Sequence, residues 1–463
     1  MTMQKILIIG AGVAGRTLRS DLIKNGFSVA GFLDDKVNKL AGDGKILGKL
    51  ADVNRVIKDN KITDIFFSIP SAPSSLIRSF VSSIKYPQVK ISIIPRSFGI
   101  IAKETVSIAD IKAVDILNLI GRQPVKQRFV EARKLFKNQV ALVTGAAGSI
   151  GSELVRQLRH LQTKEIICVD WWENGIFYLQ QELQKNREIR YRVANIQSKQ
   201  RMQEIFSEFK PDIVFHAAAY KHVPLMQDNA VEAFNNNVLG SLNIMELSIR
   251  NKVKNFVYVS TDKAVNPVNV MGTTKRIGEM LLETLSREQT QTKLTAVRFG
   301  NVLASNGSVI PTFQKQIAEG GPLTVTHPEI TRYFMTIEEA SQLIIQSSTL
   351  GEHGEIFVLD MGEPIRILEL AESMVKLSGK KIPIKFIGMR PGEKMHEELS
   401  FKPGNVSRTK DEKIFITKNE KKFNHKNFFS KIKRLITQTS AYKISDNQLK
   451  QEFIKLGFKL KKI

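Results

Sequence analysis

The sequence predicts an α/β protein that contains two doubly wound parallel sheets in tandem. Two observations lead to this prediction. A short apolar strand, a glycine-rich turn and a helix-like stretch follow one another at residues 5–24 and again at residues 140–161. Behind each turn, short apolar runs alternate with stretches of helical periodicity, and strands that alternate with helices form parallel sheets. Both halves are therefore expected to be Rossmann-like, the second with a smaller substrate-binding lobe.

The first unit is expected over residues 1–97. Its opening strand leads into the turn Gly10-Ala-Gly12-Val-Ala-Gly15, and Asp34 and Asp35 follow the second strand. Its later strands are expected near Val29–Leu33, Ile65–Ile69 and Val89–Ile94. The unit has the parts of a nucleotide site, but no catalytic residues follow the turn. It either binds a nucleotide or is a structural or regulatory unit with no bound dinucleotide.

The rest of the chain is expected to have three further parts. Residues 98–138 are interpreted as a connector that ends in a linker helix, and residues 139–400 as the catalytic domain with its lobe. Residues 401–463 are interpreted as a basic C-terminal tail. Strands of the catalytic domain are expected near Glu165–Val169, Asp212–Phe215, Phe256–Val259 and Leu294–Arg298. The pattern becomes irregular from about Gly300, as expected of a small lobe.

The composition is that of an ordinary globular protein, with 42% hydrophobic and 25% charged residues. Cys168 is the only cysteine, so the chain cannot form an internal disulfide, which fits a reducing compartment. No apolar run reaches the ~18 residues that a membrane span requires, and the first residues lack the pattern of a signal peptide. The protein is therefore expected in the cytoplasm.

The net charge of +24 is unevenly distributed. Residues 401–463 contain 17 lysines and arginines against 5 acidic residues, a net charge of +12 and half of the excess. A lysine-rich solvated tail accounts for this, and peripheral contact with an anionic membrane surface or an acidic partner is the alternative. The sequence has no zinc-finger spacing and no RNA-binding aromatic motif, so nucleic acid is not expected as a partner.

The turn Thr144–Gly151 has the spacing of a dinucleotide-binding turn. Gly145 permits the tight bend after the strand, Gly148 lets the backbone approach a pyrophosphate, and Gly151 lets the helix pack on the strand. The start of the helix offers free N–H groups to phosphates. Asp170 ends the next strand, 19 residues after Gly151, and can accept hydrogen bonds from ribose hydroxyls. Because tryptophans rather than an arginine follow it, NAD is favoured over NADP.

Hydroxyl, acid and amine groups follow the strand at Phe256–Val259, in the order Ser260-Thr261-Asp262-Lys263. Strands in such sheets deliver catalytic side chains at their carboxyl ends, beside the cofactor. Short-chain dehydrogenases place a Tyr-x-x-x-Lys pair on the next helix, where the lysine lowers the tyrosine pKa and binds the nicotinamide ribose. Lys275 matches that lysine, but Met271 stands at the tyrosine position and cannot accept a proton. A surface ion pair and a solvated helix lysine are the structural alternatives.

Seven segments together resemble one known family. They are His216-Ala-Ala-Ala-Tyr220-Lys221-His222-Val-Pro-Leu-Met226, Ser260-Thr-Asp-Lys-Ala264, Arg298-Phe-Gly-Asn301-Val-Leu, Gly307-Ser-Val-Ile-Pro311, Thr326-His-Pro-Glu-Ile-Thr-Arg332-Tyr-Phe-Met-Thr336, Phe357-Val-Leu-Asp-Met-Gly362 and Arg390-Pro-Gly-Glu-Lys394. The chain, roughly from Lys5 to Leu399, resembles the CapD-like polysaccharide biosynthesis proteins. These are the UDP-N-acetylglucosamine 4,6-dehydratases of the extended short-chain dehydrogenase superfamily. Many of them carry N-terminal membrane helices, whereas this chain begins at the first unit and is expected to be a soluble short form.

The resemblance implies a dehydration in which a hydride is borrowed and returned. NAD takes a hydride from C4 of the sugar, and the resulting ketone acidifies the C5 proton. A base then removes that proton while an acid helps the C6 hydroxyl to leave, and the hydride returns to C6. The resemblance assigns the acid to Asp262 and the base to Lys263, whose pKa must be depressed by burial or by cations such as Lys275. Thr261 is a candidate relay for the C4 proton. NAD is expected to stay tightly bound and to be recycled.

The remaining site residues are expected around the two ligands. The cofactor is expected to contact Thr144, Gly145, Gly148, Ser149, Ile150, Gly151, Asp170, Asn195, Ile196, Ala217, Ala218 and Lys275. The UDP-sugar is expected to contact Lys221, His222, Asn301, Arg332, Arg390 and Glu393. Arginine offers a planar fork to phosphate oxygens, whereas a histidine such as His222 is as readily structural. The sequence has no metal-ligand cluster, and the chemistry needs none.

Two alternatives to the dehydratase stay open. A UDP-N-acetylhexosamine 4-epimerase also acts at C4, but it is expected to keep a tyrosine where Met271 stands. A non-catalytic dinucleotide sensor or scaffold binds NAD without turnover and uses the first unit and the basic tail as interaction surfaces. Because short-chain dehydrogenase domains commonly pair through helices, a homo-oligomer is expected.

Overall fold

A computed structural model gives the fold of most of the chain. It describes residues 5–36, 40–41, 44–69, 72, 74–86, 89–93, 112–113, 130–289, 291–303, 305, 307–378, 380–399, 406–417 and 423–461. Most of the connector predicted at 98–138 lies outside these residues. The chain divides into two compact units. The first comprises Met1–Gln123, Val309–Glu329 and Ile365–Ile387, and the second comprises Pro124–Ser308, Ile330–Pro364 and Gly388–Ile463.

The N-terminal part of the first unit is a seven-stranded sheet with helices. The strands are β1 Lys5–Ile9, β2 Ser28–Leu33, β3 Leu40–Ala41, β4 Gly44–Gly48, β5 Asp64–Phe67, β6 Lys90–Ile93 and β7 Lys112–Ala113. The helices are α1 Val13–Lys24, α2 Val53–Asn60 and α3 Ser74–Ser83. The sheet has the order β3-β4-β2-β1-β5-β6-β7, in which β1 pairs in parallel with β2 and β5. Alternate residues of β1 enter two different core clusters, as a strand buried on both faces requires.

The second unit contains a larger sheet. Its strands up to residue 302 are β8 Val140–Thr144, β9 Glu165–Asp170, β10 Ile189–Val193, β11 Ile213–His216, β12 Asn255–Val259, β13 Lys293–Arg298 and β14 Asn301–Val302. The helices are α4 Val130–Phe136, α5 Ser149–Leu158, α6 Glu173–Leu183, α7 Lys199–Phe209, α8 Val223–Gln227, α9 Ala230–Phe234, α10 Ser241–Arg250 and α11 Val270–Glu288. A π-helical segment, Asn235–Gly240, joins α9 to α10. The strands predicted in both units are confirmed.

The chain between residues 309 and 387 alternates between the two units. The elements in this stretch are α12 Val309–Ala318, β15 Leu323–Val325, β16 Thr331–Arg332, β17 Phe334–Met335, α13 Ile337–Ser347, β18 Ile356–Leu359, β19 Ile365–Arg366, α14 Ile367–Leu377 and β20 Ile384–Phe386. Within the first unit, β15 pairs in parallel with β20, and α14 packs on α3. The prediction that 139–400 forms one catalytic domain is therefore corrected. The segments at 309–329 and 365–387 group with the first unit, where the end of α14 at Leu377 packs against the core.

The C-terminal residues complete the second unit. They form β21 Val406–Arg408, β22 Ile414–Thr417, α15 His425–Ser440 and α16 Asp446–Lys455. Ile432 and Phe453 are fully buried in the core of this unit. The interpretation of 401–463 as a solvated tail is thus wrong for its described residues. The lysines stand on the exposed side, as at Lys431 and Lys433, while apolar residues at helical spacing face the core.

The sheet of the second unit has nine strands in the order β10-β9-β8-β11-β12-β13-β18-β22-β21. The seven strands from β10 to β18 are parallel, whereas β22 pairs antiparallel with both β18 and β21. This is the predicted doubly wound α/β fold. The strand order reverses between β8 and β11, so their carboxyl ends open a crevice of the kind in which such sheets bind ligands. Among the described residues, no helix combines the length and apolar composition that a membrane span requires.

Candidate active site

A tightly packed glycine turn connects β8 to α5. Gly145 has a φ of +68°, and a Cβ atom there would lie 2.6 Å from the backbone nitrogen of Ala218. A Cβ atom at Gly151 would lie 2.0 Å from the carbonyl oxygen of Gly145. Larger residues are therefore excluded at both positions. Gly148 caps α5, which begins at Ser149 and Ile150, so the positive end of the helix dipole is directed toward the glycine turn.

A buried histidine supports the turn from below. His216 Nδ1 lies 2.7 Å from Thr144 Oγ1, and His216 Nε2 lies 2.9 Å from Ser241 Oγ. Because the Ser241 hydroxyl donates to the carbonyl oxygen of Asn237 at 2.6 Å, it accepts from Nε2–H, and Nδ1 accepts from Thr144. Burial, together with the charge of Lys275, lowers the pKa of His216 to about 3, so the ring stays neutral. Thr144 is thus a support for the turn.

A cleft of about 470 Å³ opens beside the turn. Its lining consists of Gly145, Gly148, Val169, Asp170, Trp171, Ala194, Ile196, Ala217, Ala218, Ala219, Tyr220 and Asn236. Small and apolar side chains form most of this wall, with one carboxylate at the end of β9. Asn195 lies next to this lining, and its Oδ1 accepts a hydrogen bond from the backbone of Gln197 at 2.9 Å.

Asp170 fastens the turn to the neighbouring strand. Its Oδ2 accepts from the backbone nitrogen of Ala147 and its Oδ1 from that of Trp172, both at 3.0 Å. Burial raises the pKa of this carboxyl group, and the backbone hydrogen bonds oppose that rise. A carboxylate has about four acceptor positions, so Asp170 can accept a further hydrogen bond. The glycine cradle, the positive end of α5 and this carboxylate fit the pyrophosphate and ribose of a dinucleotide.

The end of β12 places three polar side chains in contact. Asp262 begins a single 3-10 turn that is capped by Thr261, whose hydroxyl lies 2.8 Å from Asp262 Oδ1. Lys263 Nζ lies 2.9 Å from the same carboxylate oxygen and 3.0 Å from Asn301 Oδ1. Asp262 is 1% exposed, so the pair is not a surface ion pair.

Lys263 is charged in this arrangement. Burial alone lowers the pKa of its ammonium group, but the carboxylates of Asp262 and Glu397 outweigh that effect and raise the pKa above its ordinary value. The sequence analysis expected a depressed pKa, with Lys275 as one cause. That expectation is wrong for the protein without ligands, because two carboxylates face the amine.

Lys275 has the opposite environment. It lies on α11, where its Nζ donates to the carbonyl oxygen of Val259 at 2.7 Å and sits 3.9 Å from the centre of the Tyr258 ring. Burial lowers the pKa of Lys275 to about 7, and Glu279 opposes this fall only in part. Met271 lies one helical turn earlier on the same face and is also buried.

A buried ion network fixes α11 against the sheet. Glu279 accepts from Ser260 Oγ at 2.6 Å, from Arg298 Nε at 2.7 Å and from Arg276 Nη1 at 3.1 Å. Burial pushes the pKa of Glu279 upward, but the two arginines outweigh it and bring the pKa down to about 2. The carboxylate is therefore ionised. The network holds α11, and with it Lys275, at the end of β12.

The loop around residues 388–398 brings together three predicted substrate residues. Arg332 Nη2 lies 2.9 Å from Glu393 Oε1, and its Nη1 donates to the carbonyl oxygens of Thr331 and Met395 at 2.7 and 3.2 Å. The backbone nitrogen of Arg390 donates to Glu393 Oε2 at 3.2 Å, and the Arg390 side chain is exposed. Arg332 and Glu393 thus hold the loop, and Arg390 extends from it.

Lys221 and His222 follow the cleft at the end of β11. Partial desolvation lowers the pKa of Lys221. The positive charge of Lys263 contributes to this lowering, so Lys221 lies near Lys263. Desolvation also lowers the pKa of His222, with a contribution from Lys221. The His222 ring covers Gly307, where a Cβ atom would lie 2.6 Å from its Cε1.

Glu397 is a site residue that the sequence analysis missed. Its Oε1 lies 3.8 Å from Lys263 Nζ, and burial, followed by the charge of Asp262 among opposing cations, raises the pKa of its carboxyl group. Glu397 Oε2 and Asp262 Oδ2 are buried, and the described residues offer neither of them a hydrogen-bond partner. Nothing in the sequence distinguishes Glu397 from its exposed neighbour Glu398.

Comparison with known proteins identifies relatives of this chain. The family described as polysaccharide biosynthesis protein matches residues 141–419. The capsular polysaccharide biosynthesis protein CapD of Staphylococcus aureus is 42% identical over 407 residues, which are 85% of this chain and 68% of that protein. A UDP-glucose 4-epimerase of Rickettsia canadensis is 36% identical over 274 residues, 57% of this chain and 78% of that protein. The X-ray structure of Pen from Bacillus thuringiensis has 34% identity and a TM-score of 0.58, over 61% of this chain and 90% of that one.

Proposed function

We propose that this chain, which belongs to the polysaccharide biosynthesis protein family, is an NAD-dependent 4,6-dehydratase. Its substrate would be UDP-N-acetylglucosamine and its product a UDP-4-keto-6-deoxy-N-acetylhexosamine for polysaccharide or glycan synthesis. The family membership itself confirms the resemblance found in the sequence.

The observation that supports this reaction is the buried Asp262–Lys263 pair at the end of β12. It lies at the same edge of the sheet as the glycine turn, because β8 and β12 are both parallel strands. Elimination of water between C5 and C6 requires an acid and a base in addition to the proton acceptor for the C4 hydroxyl, whereas exchange of configuration at C4 requires only that acceptor. A buried acid–amine pair beside a dinucleotide cleft supplies both groups.

The short distance within the pair reconciles the charge of Lys263 with a role as base. Lys263 Nζ lies 2.9 Å from Asp262 Oδ1, so one proton can pass from the ammonium group to the carboxylate. A substrate that excludes water disfavours the ion pair relative to the neutral pair. Lys263 then takes the C5 proton, and Asp262 gives its proton to the C6 hydroxyl, which leaves as water. Both groups are thereby returned to their charged forms.

The second unit would hold NAD through its cleft and turn. Gly145, Gly148 and the start of α5 would carry the pyrophosphate, Asp170 a ribose, and Lys275 the nicotinamide ribose. Asn195, Ile196, Ala217 and Ala218 would border the cofactor. When bound, NAD would supply reversible hydride transfer, accepting the hydride from C4 and returning it to C6. The carboxylate of Asp170 repels a 2′-phosphate, which favours NAD over NADP.

The C4 hydroxyl also needs a proton acceptor, and Met271 cannot serve. Lys275 can, since a pKa of about 7 leaves a neutral fraction of its amine at neutral pH. Thr261, two residues past the end of β12, is the relay in this proposal. The network around Glu279 keeps the lysine in place.

The sugar nucleotide would bind between the end of β12 and the loop around residues 388–398. Arg390 is the candidate for the diphosphate, because its guanidinium is exposed, whereas that of Arg332 already contacts Glu393. Asn301 would orient Lys263, and Lys221 and His222 would border the sugar. Glu393 would reach a ribose only by exchanging one of its present contacts.

Two other functions compete with this proposal. The similarity to a UDP-glucose 4-epimerase favours a UDP-N-acetylhexosamine 4-epimerase. That reaction has no step for the Asp262–Lys263 pair, and an epimerase is expected to have a tyrosine where Met271 stands. A non-catalytic sensor would bind NAD without turnover, and substitutions at Asp262 and Lys263 would not alter its function.

Incubation of the purified protein with UDP-N-acetylglucosamine, followed by mass spectrometry, separates the three. The dehydratase gives a product lighter by one water. A new C4 epimer of unchanged mass would favour the epimerase. If the protein contains NAD but leaves the substrate unchanged, the result would favour the sensor. Lys263→Met should abolish the loss of water. Lys185→Met, which changes an exposed lysine in the turn after α6, should not.

A further inference from the structure

The glycine turn of the first unit is built like the turn beside the cleft. Gly10 has a φ of +98°, and a Cβ atom at Gly15 would lie 2.0 Å from the carbonyl oxygen of Gly10, the same distance as between Gly151 and Gly145. Such packing brings the start of α1 directly over the end of β1. The helix start has no acidic residue in its first turn to neutralise it, so it keeps its attraction for anions.

An acid fastens this turn as well. Asp34 Oδ2 accepts from the backbone nitrogen of Ala11 at 2.7 Å, as Asp170 does from Ala147, and Asp34 Oδ1 accepts from that of Lys36 at 2.8 Å. A carboxylate oxygen can accept two hydrogen bonds. Both oxygens of Asp34 therefore retain capacity for the hydroxyls of a ribose.

A buried serine hydroxyl faces the turn and lacks a partner. Ser68 directly follows β5, and its backbone nitrogen donates to Ile9 at 2.7 Å, as that of Ala217 donates to Thr144 in the second unit. Ser68 is 3% exposed, its Oγ finds no hydrogen-bond partner among the described residues, and it lies 3.3 Å from the position of a Cβ atom at Gly15. The corresponding Ala217 lines the cleft of the second unit. A buried hydroxyl without a partner is costly, and a ligand in the turn would satisfy it.

We propose that the first unit binds a nucleoside diphosphate group at this turn, independently of the reaction in the second unit. The N–H groups at the start of α1 hold the phosphates, the Ser68 hydroxyl donates to a phosphate or ribose oxygen, and Asp34 accepts from the ribose hydroxyls. The group is carried by a dinucleotide or by a nucleotide sugar. The negative charge of Asp34 disfavours a ribose with a 2′-phosphate.

Gly12→Asp tests the phosphate position without disturbing the fold. Gly12 caps α1 with an ordinary φ of −69°, and a Cβ atom there meets nothing within 4 Å. Aspartate is a favourable residue at a helix start, but its carboxylate would occupy and repel the phosphate position. Ser20→Asp is the matched control, because it adds the same charge at an exposed position further along α1.

Two measurements on the full-length protein separate the units. Equilibrium dialysis with ADP, NAD and UDP in turn counts all bound nucleotide. Tryptophan fluorescence reports the second unit alone, because both tryptophans, Trp171 and Trp172, belong to it. We expect wild-type protein and Ser20→Asp to bind one equivalent of at least one of the three nucleotides in the first unit. Gly12→Asp should bind that nucleotide at least tenfold more weakly, and the tryptophan fluorescence of the three proteins should not differ. If the nucleotide that Gly12→Asp binds more weakly is ADP or NAD, the ligand of the first unit is a dinucleotide. If it is UDP, the ligand is a nucleotide sugar.

Ser68→Ala tests the hydroxyl. We expect roughly fivefold weaker binding of the same nucleotide with no loss of thermal stability, since one hydrogen bond to the ligand disappears and an unpaired buried hydroxyl is removed. Equal stoichiometry and affinity of wild-type protein and Gly12→Asp for all three nucleotides would overturn the proposal. So would equal weakening by Gly12→Asp and Ser20→Asp. Unchanged binding by Ser68→Ala would overturn the role of Ser68.

Discussion

The two glycine turns of this protein have the same construction, but different side chains surround them. Each is fastened by an aspartate at the end of the neighbouring strand, Asp34 in the first unit and Asp170 in the second. In the first unit, the described residues 5–93 bury only two polar side chains, Asp64 and Ser68. The second unit buries the acid of an acid–amine pair, a lysine and an ion network. The turn alone therefore indicates a nucleotide, and the other strand ends determine whether chemistry follows.

The largest effect should come from the acid–amine pair. Lys263→Met and Asp262→Asn should each lower the rate of water loss by roughly 10²–10⁴-fold, the contribution typical of a positioned acid or base. Bound NAD should stay unchanged, because neither side chain lines the cleft. Product formation by mass spectrometry and NAD released on denaturation check the two halves of this prediction. Loss of NAD together with activity would contradict the separation of roles.

The buried network comes next. Glu279→Gln should lower the free energy of unfolding of the second unit by about 3 kcal/mol, because Arg298, 2% exposed, loses its ionic partner inside the protein. Urea unfolding followed by tryptophan fluorescence measures this unit. Glu283→Gln, at the more exposed edge of the same network, should cost well under half as much. Equal costs would show that the network does not support α11.

Glu397 should affect pH dependence more than maximal rate. Its carboxylate helps to raise the pKa of Lys263, so Glu397→Gln should lower that pKa. The active pair carries one proton, so activity falls as the pH rises through the pKa at which that proton is lost. The falling limb of the pH–rate profile should therefore move to lower pH in Glu397→Gln. Glu398→Gln should leave the limb in place, because Glu398 contacts Asn266 and Lys394 instead. A shift to higher pH in Glu397→Gln contradicts the assignment.

The two fastening aspartates should give the smallest effects. Asp170→Asn removes one charge but keeps an acceptor, so NAD binding should weaken by about tenfold, the effect of one charge-assisted hydrogen bond. Asp34→Asn should leave the NAD content of the second unit and the rate of water loss unchanged. Tryptophan fluorescence, which reports the second unit alone, follows NAD binding in both variants, and mass spectrometry follows the loss of water. Equal loss in the two variants would mean that the units do not work separately.

Local patterns in the sequence predicted the fold well. The apolar run of β8, the glycine at a positive φ after it and the helical spacing of Leu154 and Leu158 are short-range signals, and the structure has a strand, turn and helix there. The C-terminal segment contains two conflicting signals: its charge predicts a solvated tail, and its apolar periodicity predicts a packed helix. Phe428, Ile432 and Leu435 stand at helical spacing and are buried.

Other features depend on packing that no local pattern reveals. Residues 309–329 and 365–387 are separated in sequence from the first unit, and only their pairing through β15 and β20 and the packing of α14 places them there. The charge of Lys263 depends on Glu397, which lies 134 positions away in the chain. Exposed Glu398 stands beside it with the same side chain, so burial alone selects between them.

The central claim is that the second unit moves a hydride within one sugar. UDP-N-acetylglucosamine labelled with deuterium at C4 tests it most directly, with NMR to locate the label in the product. The account predicts deuterium at C6 of a 4-keto-6-deoxy product, with none lost to solvent. Deuterium that remains at C4 of an epimer, or that is released on free NADH, would contradict it.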